Sequence, residues 1–179
     1  MTQAMPLYNR AHRSLFTFVD DHDFEQVSRY RWRLNSKGYA IRSRIVDDRE
    51  VIIALHREII KPPPGLVVDH IDHDKLNNTR ANLRVITQQQ NLMNRRLFKN
   101  NSTGFKGVTF QHGKWHARIE KDGQVMHLGF HEDLKTAALV YDCAAVMLFG
   151  EDYVWRNLPG KPFPAEIEAL VHAYLARIE

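Results

Sequence analysis

Cysteine is almost absent from this chain: Cys143 is the single one among 179 residues. One cysteine excludes an internal disulfide and any CxxC zinc site, and it fits a reducing, cytoplasmic setting. Long apolar runs are missing too. No stretch approaches the length of a membrane span, and the N-terminus lacks a basic-then-apolar signal pattern, so no membrane partner is expected. Nor is there a large charge of one sign, the formal net charge being +4. The apolar fraction of 44% is ordinary for folded protein and argues against extensive disorder.

The charge that is present lies unevenly. Residues 51–103 carry eight Lys/Arg against four Asp/Glu, whereas 104–150 balance and 151–179 are net acidic. A basic centre suits a polyanionic partner, although a surplus of this size is also common on soluble proteins.

Residues 14–19, 30–34, 39–45 and 51–55 are short runs rich in aromatic and β-branched side chains, broken at 20–21, 36–38 and 47–48. They read as strands of a meander or two hairpins. Residues 56–61 read as a short helical or irregular piece, stopped by the prolines at 62–64. A brief strand at 66–68 leads into Asp69 and His70. After a turn at Asn77 and Asn78, residues 83–87 form a second expected strand. Thr87 with Gln90 three residues on is a capping-box pattern, which predicts a helix from there to about residue 98. Beyond a polar linker come three short strands near 107–110, 114–121 and 124–130, with hairpin turns at Gly113 and Asp122–Gly123. An amphipathic helix is predicted at 134–148 and a final helix at 165–178. The strand pattern of the first 55 residues does not recur in 104–130, so no internal duplication is expected.

The stretch 69–91 carries the chemistry. Asp69 and His70 are adjacent, Asn82 lies twelve residues beyond His70, and Asn91 nine beyond that. Hydrolysing a phosphodiester needs an activated water and stabilisation of charge on the phosphate and the departing oxygen. One carboxylate and one carboxamide suffice as protein ligands for magnesium, and a neutral histidine can accept the proton of water. Neighbouring side chains on an extended chain diverge, so Asp69 and His70 can flank one phosphate. The competing reading is a solvated loop of four common polar residues.

These residues resemble the HNH endonucleases, specifically the zinc-free branch found among phage homing endonucleases. The Asp69-His70 pair, the middle Asn82 and the helix Asn91 match its ββα-metal motif, as do Leu55-His56-Arg57, Val68 and Asn82-Leu83-Arg84-Val85. The resemblance implies His70 as general base, Asp69 and Asn91 as ligands of a divalent metal (Mg2+, with Mn2+ as an alternative and no zinc), and Asn82 as the residue that orients the catalytic loop. His56, Arg57, Arg84, Arg95 and Arg96 are candidates for contact with the DNA backbone, and Arg80 is a further one; such contacts position DNA without reading it. Each has a blander reading, as an anchor or a solvated surface charge. Asn77 and Asn78 are assigned to the turn, His73 to a mobile loop.

Residues 102–158 resemble the plant ethylene-response-factor (Apetala-type) DNA-binding domain. The matching text is Gly104-Phe105-Lys106-Gly107-Val108, Gly113-Lys114-Trp115-His116-Ala117-Arg118-Ile119, His127-Leu128-Gly129-Phe130, Thr136-Ala137-Ala138, Tyr141-Asp142-Cys143-Ala144-Ala145 and Asn157-Leu158-Pro159. By position Lys106, Thr109, Gln111, Trp115 and Arg118 would face DNA, with core packing as the competing role for Trp115. Two departures stand out: Lys106 replaces an arginine, and Arg118 stands where an acidic residue is usual. The plant target sequence therefore does not carry over.

The expected fold class is α+β. A β-rich N-terminal part with the ββα-metal HNH core spans 1–98, a linker 99–103, a three-stranded antiparallel sheet packed on one helix 104–160, and a C-terminal helix 161–179. The implied function is that of a phage-encoded homing endonuclease acting on double-stranded DNA in the cytoplasm of a bacterial host, as monomer or homodimer, by nicking or by double-strand cleavage. The alternatives are a non-catalytic DNA-binding regulator that keeps the HNH fold and a non-specific or repair nuclease.

Overall fold

Small antiparallel sheets alternate with short helices, an α+β arrangement. The structure, a computed structural model, describes residues 1–8, 15–97 and 101–177. The chain divides into two compact units, Met1–Gln88 and Gln89–Glu179. Among the described residues no helix is long and apolar enough to cross a membrane.

In the first unit, β1 (Thr2–Leu7) pairs antiparallel with β2 (Leu15–Asp20), from Thr2↔Asp20 to Leu7↔Leu15. The period of two puts Met5, Leu7, Thr17 and Val19 on the buried side. Helix α1 (Asp21–Val27) follows without a gap, with Asp21 and Asp23 in its first turn, where the helix dipole favours carboxylates. A second sheet has the order β3 (Arg33–Leu34), β4 (Ala40–Val46), β5 (Arg49–Ala54). Asp47 and Asp48, both left-handed at φ 49° and 58°, make the tight β4–β5 turn. Helix α2 (Leu55–Ile60) leads into β6 (Leu66–His70), which pairs with β7 (Leu83–Thr87) from Leu66↔Thr87 to His70↔Leu83. The core joins Met5, Leu7, Val19, Val27, Trp32, Leu55, Ile59, Val68 and Leu83, and the Trp32 indole N–H donates to the Val27 carbonyl at 2.8 Å.

Helix α3 (Gln88–Met93) follows β7 directly. In the second unit, β8 (Val108–Gln111), β9 (Lys114–Lys121) and β10 (Gln124–His131) form an antiparallel sheet with β9 central. Helix α4 (Leu134–Phe149) covers one face. Asp133 caps it, its carboxylate accepting from the Thr136 N–H at 2.8 Å. Val108, Ala117, Ile119, Met126 and Leu128 of the sheet meet Ala137, Ala138, Tyr141, Ala144 and Ala145 of α4, and Val171 of α5 (Ala165–Leu175) joins them. The buried Asp142 carboxylate takes the Asn157 and Leu158 N–H groups at 2.8 Å each and so ties the segment after α4 to the helix.

Two elements were not expected. β1 has few β-branched residues, and its partner strand and buried Met5 and Leu7 make it a strand. The acidic pair at 20–21, which reads as a break, is instead the entry to α1. β6 runs on through Asp69 and His70, and α3 stops at Met93, with residues 94–97 outside any helix. The expected strand start at 14, helix end at 98, linker residues 99–100 and helix end at 178 lie outside the described residues.

Gly107 sets a tight tolerance. Its φ is +69°, and a Cβ there would overlap the Tyr141 ring and come within 2.6 Å of the Arg118 carbonyl oxygen. Left-handed strain and overpacking add. Gly107→Ala is therefore expected to destabilise the second unit by roughly 2–5 kcal/mol, read as a lower denaturation midpoint.

Candidate active site and nucleic-acid interface

Helix α2 and two loops of the first unit converge on His70. It ends β6 and is 4% exposed. The His56 ring of α2 lies edge-on to it, with centroids 5.1 Å apart, and the Tyr39 ring contacts both, at 5.1 Å from His56 and 6.0 Å from His70. On another side His70 Nε2 lies 3.2 Å from Asn78 Oδ1. Asn78 is fully buried. Its Nδ2 donates to Thr17 Oγ1 at 2.8 Å and to the Lys75 carbonyl at 3.3 Å. Both Nδ2 protons are thereby used, so Oδ1 is the atom that faces the imidazole, and an amide oxygen can only accept. The proton of neutral His70 therefore sits on Nε2, which leaves Nδ1 with the lone pair.

Burial lowers the His70 pKa, against the Asn78 contact and the nearby carboxylates of Asp69, Asp72 and Asp74, which raise it. Burial first, then His70 and Arg57, bring His56 down to about 4. Both imidazoles are uncharged near neutrality.

Asp69 sits beside His70 in β6 and opposite Arg84 in β7. Arg84 Nε and Nη2 both reach Asp69 Oδ2, at 3.0 and 2.9 Å. The Arg84 side chain is 16% exposed and that of Asp69 11%. Asn82 closes the loop between the strands. Its Oδ1 accepts from the Asp72 N–H at 3.0 Å, and its Nδ2 donates to Asp72 Oδ1 and to the Asn77 carbonyl, each at 2.8 Å. Burial works against charge on Asp72, but donors from Asn77, the Asp74 N–H and Asn82 outweigh it and hold the carboxyl below its ordinary value. Asn91 is half-buried on α3. Among the described residues no three His, Cys, Asp or Glu side chains converge as a metal cage. The Asp69 carboxylate is an oxygen donor of the kind that suits a hard cation retaining waters.

The basic candidates divide. Arg80 clamps Asp23 with two bonds of 2.8 Å and holds the loop to α1. Arg84 is committed to Asp69. Arg57 is exposed and, with Arg44 and Lys61, lines a cavity of about 350 Å³. Arg95 is exposed, and Arg96 lies 5.1 Å over the Trp155 ring.

In the second unit Thr109, Gln111 and Arg118 share the sheet face opposite the core, where Gln111 donates to Thr109 at 3.2 Å. His116 and His127 lie on that face too, His116 Nε2 and His127 Nδ1 being 3.1 Å apart. Two expected DNA-facing residues are placed differently. Trp115 alternates onto the side of Ala117 and Ile119 and packs against the core. Lys106 Nζ donates to the Met93 and Arg95 carbonyls at 2.8 and 3.3 Å, and burial lowers its pKa to about 8.

A family model described as HNH endonuclease matches residues 61–93. An uncharacterized HNH endonuclease of Acanthamoeba polyphaga mimivirus is 35% identical over 146 residues, covering 78% of this chain and 73% of that protein. The chain belongs to the HNH endonuclease family. Protein 3.8 of Escherichia phage T7 is 28% identical over 81 residues, covering 44% of this chain and 67% of that protein. The HNH match spans β6, β7 and α3 and so contains Asp69, His70, Asn78, Asn82 and Asn91. Family membership makes this protein a nuclease with DNA as its substrate. Sequence reading missed Asn78 and Tyr39. The Asn77-Asn78 pair looks like ordinary turn chemistry, and only the fold brings its second member to the imidazole.

The two neutral histidines give a pH-dependent stability. Unfolding returns each to about 6.5, so protonation favours the unfolded chain, and stability is complete above about pH 6.5 and declines as pH falls toward 4. The His56 share is roughly 3 kcal/mol. Chemical denaturation at two pH values on either side of this window measures it, and His56→Gln should shrink the difference. A second expectation concerns Arg84. Replacing it by Met strips a largely buried carboxylate of its guanidinium and should cost roughly 2–4 kcal/mol in chelator-containing buffer.

Proposed function

We propose that this HNH endonuclease is a phage-type homing endonuclease that hydrolyses DNA phosphodiesters with His70 as general base. The observation that carries the reading is the buried His70 imidazole with Nε2 3.2 Å from Asn78 Oδ1, an acceptor that places the ring proton on Nε2 and leaves Nδ1 to take the proton of an attacking water. The water oxygen bonds to phosphorus, its proton passes to His70, the P–O3′ bond breaks with its electron pair going to O3′, and O3′ takes a proton from solvent water, leaving 3′-hydroxyl and 5′-phosphate ends. HNH nucleases generally use a divalent metal, and when bound such an ion stabilises charge on the phosphate and the departing oxygen. Asp69 and Asn91 are the residues that would hold it, with Mg2+ as the ion best matched to their oxygen donors. Arg84 orients the Asp69 carboxylate through two bonds to Oδ2. Asn82, bonded at both ends of its amide to the 72–77 loop, fixes the strand connection that carries Asn78.

The C-terminal unit supplies the docking surface in this reading. Thr109, Gln111 and Arg118 line the open face of a three-stranded sheet whose other face is sealed by α4, an arrangement suited to lying in a major groove. Lys106 and Trp115 support that surface from behind: one holds the carbonyls at the end of α3, and the other braces the sheet.

Plasmid cleavage tests the proposal. With magnesium, the wild type should nick or cut DNA carrying the flanks of its own gene, and His70→Ala should lower the rate by roughly 10²–10⁴-fold. If both proteins bind DNA but neither cuts any of several substrates, the chain is a DNA-binding regulator instead. The single-turnover rate should also be flat above about pH 7 and fall at lower pH, because the His70 pKa lies below 6.5.

A further inference from the structure

The first unit holds a basic cavity that the catalytic reading leaves unused. Between Arg29 and Val46 the chain carries six Lys/Arg and no Asp/Glu, and its first five residues alternate as Arg29-Tyr30-Arg31-Trp32-Arg33. The fold gathers part of this run around a cavity of about 300 Å³ lined by Tyr8, Tyr30, Arg31, Arg33, Arg42 and Ser43.

Arg42 is its floor. The guanidinium lies 3.9 Å over the Tyr30 ring and 5.6 Å over Trp32, and Nη2 donates to Glu58 Oε2 at 3.0 Å. Its Nε is buried and has no hydrogen-bond partner among the described residues. A buried N–H left unbonded carries a desolvation cost, which an incoming acceptor removes. At the rim Arg31 lies 5.7 Å over the Tyr8 ring. Arg33 is exposed, and the chain pairs it with Tyr8 through a β-bridge. Among the described residues neither Arg31 nor Arg33 has a carboxylate partner, whereas Arg29, Arg42, Arg80 and Arg84 each have one.

We propose that this cavity binds a backbone phosphate of the DNA duplex, at a distance from the scissile bond. This rests on the nuclease reading above. Guanidinium forks match phosphate oxygens, and stacking on tyrosine pre-orders them. Both tyrosine rings are already covered by guanidinium groups, so the donors rather than the rings meet the ligand. That favours a phosphate over a stacked base. The contact is blind to sequence and adds affinity and register to a nuclease whose docking sheet lies in the other unit.

The test is duplex binding by the full chain in a His70→Ala background, measured between about 50 and 200 mM salt. Arg31→Gln/Arg33→Gln should weaken binding at least tenfold at low salt and reduce the slope of log affinity against log salt by about two. The loss should be equal for a scrambled duplex, and Arg31→Lys/Arg33→Lys should restore most of the slope. Circular dichroism checks folding; if the double variant does not fold, each single glutamine variant should lower the slope by about one. Unchanged affinity and slope in folded variants would overturn the proposal, and cleavage by the wild type would then leave the nuclease reading standing. A loss confined to one sequence would make these arginines base readers and also overturn it. If the chain binds no duplex at any salt, both readings fall.

Discussion

The Asn78 amide oxygen can accept a hydrogen bond and cannot donate one, and it faces His70 from inside the protein. That one constraint decides which imidazole nitrogen keeps the proton, and hence which can take one from water. The constraint is itself built. β2 holds the loop that carries Asn78 through the Phe18 N–H to the Leu76 carbonyl, the Asn78 N–H to the Phe18 carbonyl, and Thr17 Oγ1 to the Leu76 carbonyl, each at 2.8 Å. Asn78 Nδ2 then donates to the same Thr17 hydroxyl. The N-terminal hairpin thus fixes the position of Asn78 against His70.

Burial and charge pull in opposite directions around this centre. Burial of His70 keeps the imidazole neutral, while the Asn78 contact and the carboxylates of Asp69, Asp72 and Asp74 favour its charged form. The arrangement resolves the conflict by giving each carboxylate its own donors. Arg84 neutralises Asp69, and Asn77, Asn82 and a backbone N–H hold Asp72. Burial wins for His70, whose imidazole stays uncharged near neutrality, the state a proton acceptor needs.

Much of this was legible in the sequence, for identifiable reasons. Asp69, His70, Asn82 and Asn91 stand at fixed separations within one strand–loop–strand–helix stretch, so the resemblance to the HNH motif can be read from local spacing. The β8–β10 hairpins announce themselves through left-handed turn residues, and α4 through its alanine stripe. What stayed hidden depends on long-range contact. Asn78 meets Thr17 across 61 residues, Arg80 spends its charge on Asp23 across 57, and Lys106 turns inward to carbonyls at the end of α3. Side-chain type predicted a turn, a phosphate grip and a DNA contact for these three; only their partners say otherwise. Trp115 shows a milder case, in which strand alternation was readable but the family resemblance suggested the opposite face.

The most direct measurement is the 15N NMR signature of the His70 ring near pH 7.5, in the wild type and in Asn78→Ala. The account predicts a neutral imidazole protonated at Nε2 in the wild type, and a mixture of tautomers once the Asn78 acceptor is gone. A wild-type ring protonated at Nδ1, or a cationic one, would contradict it.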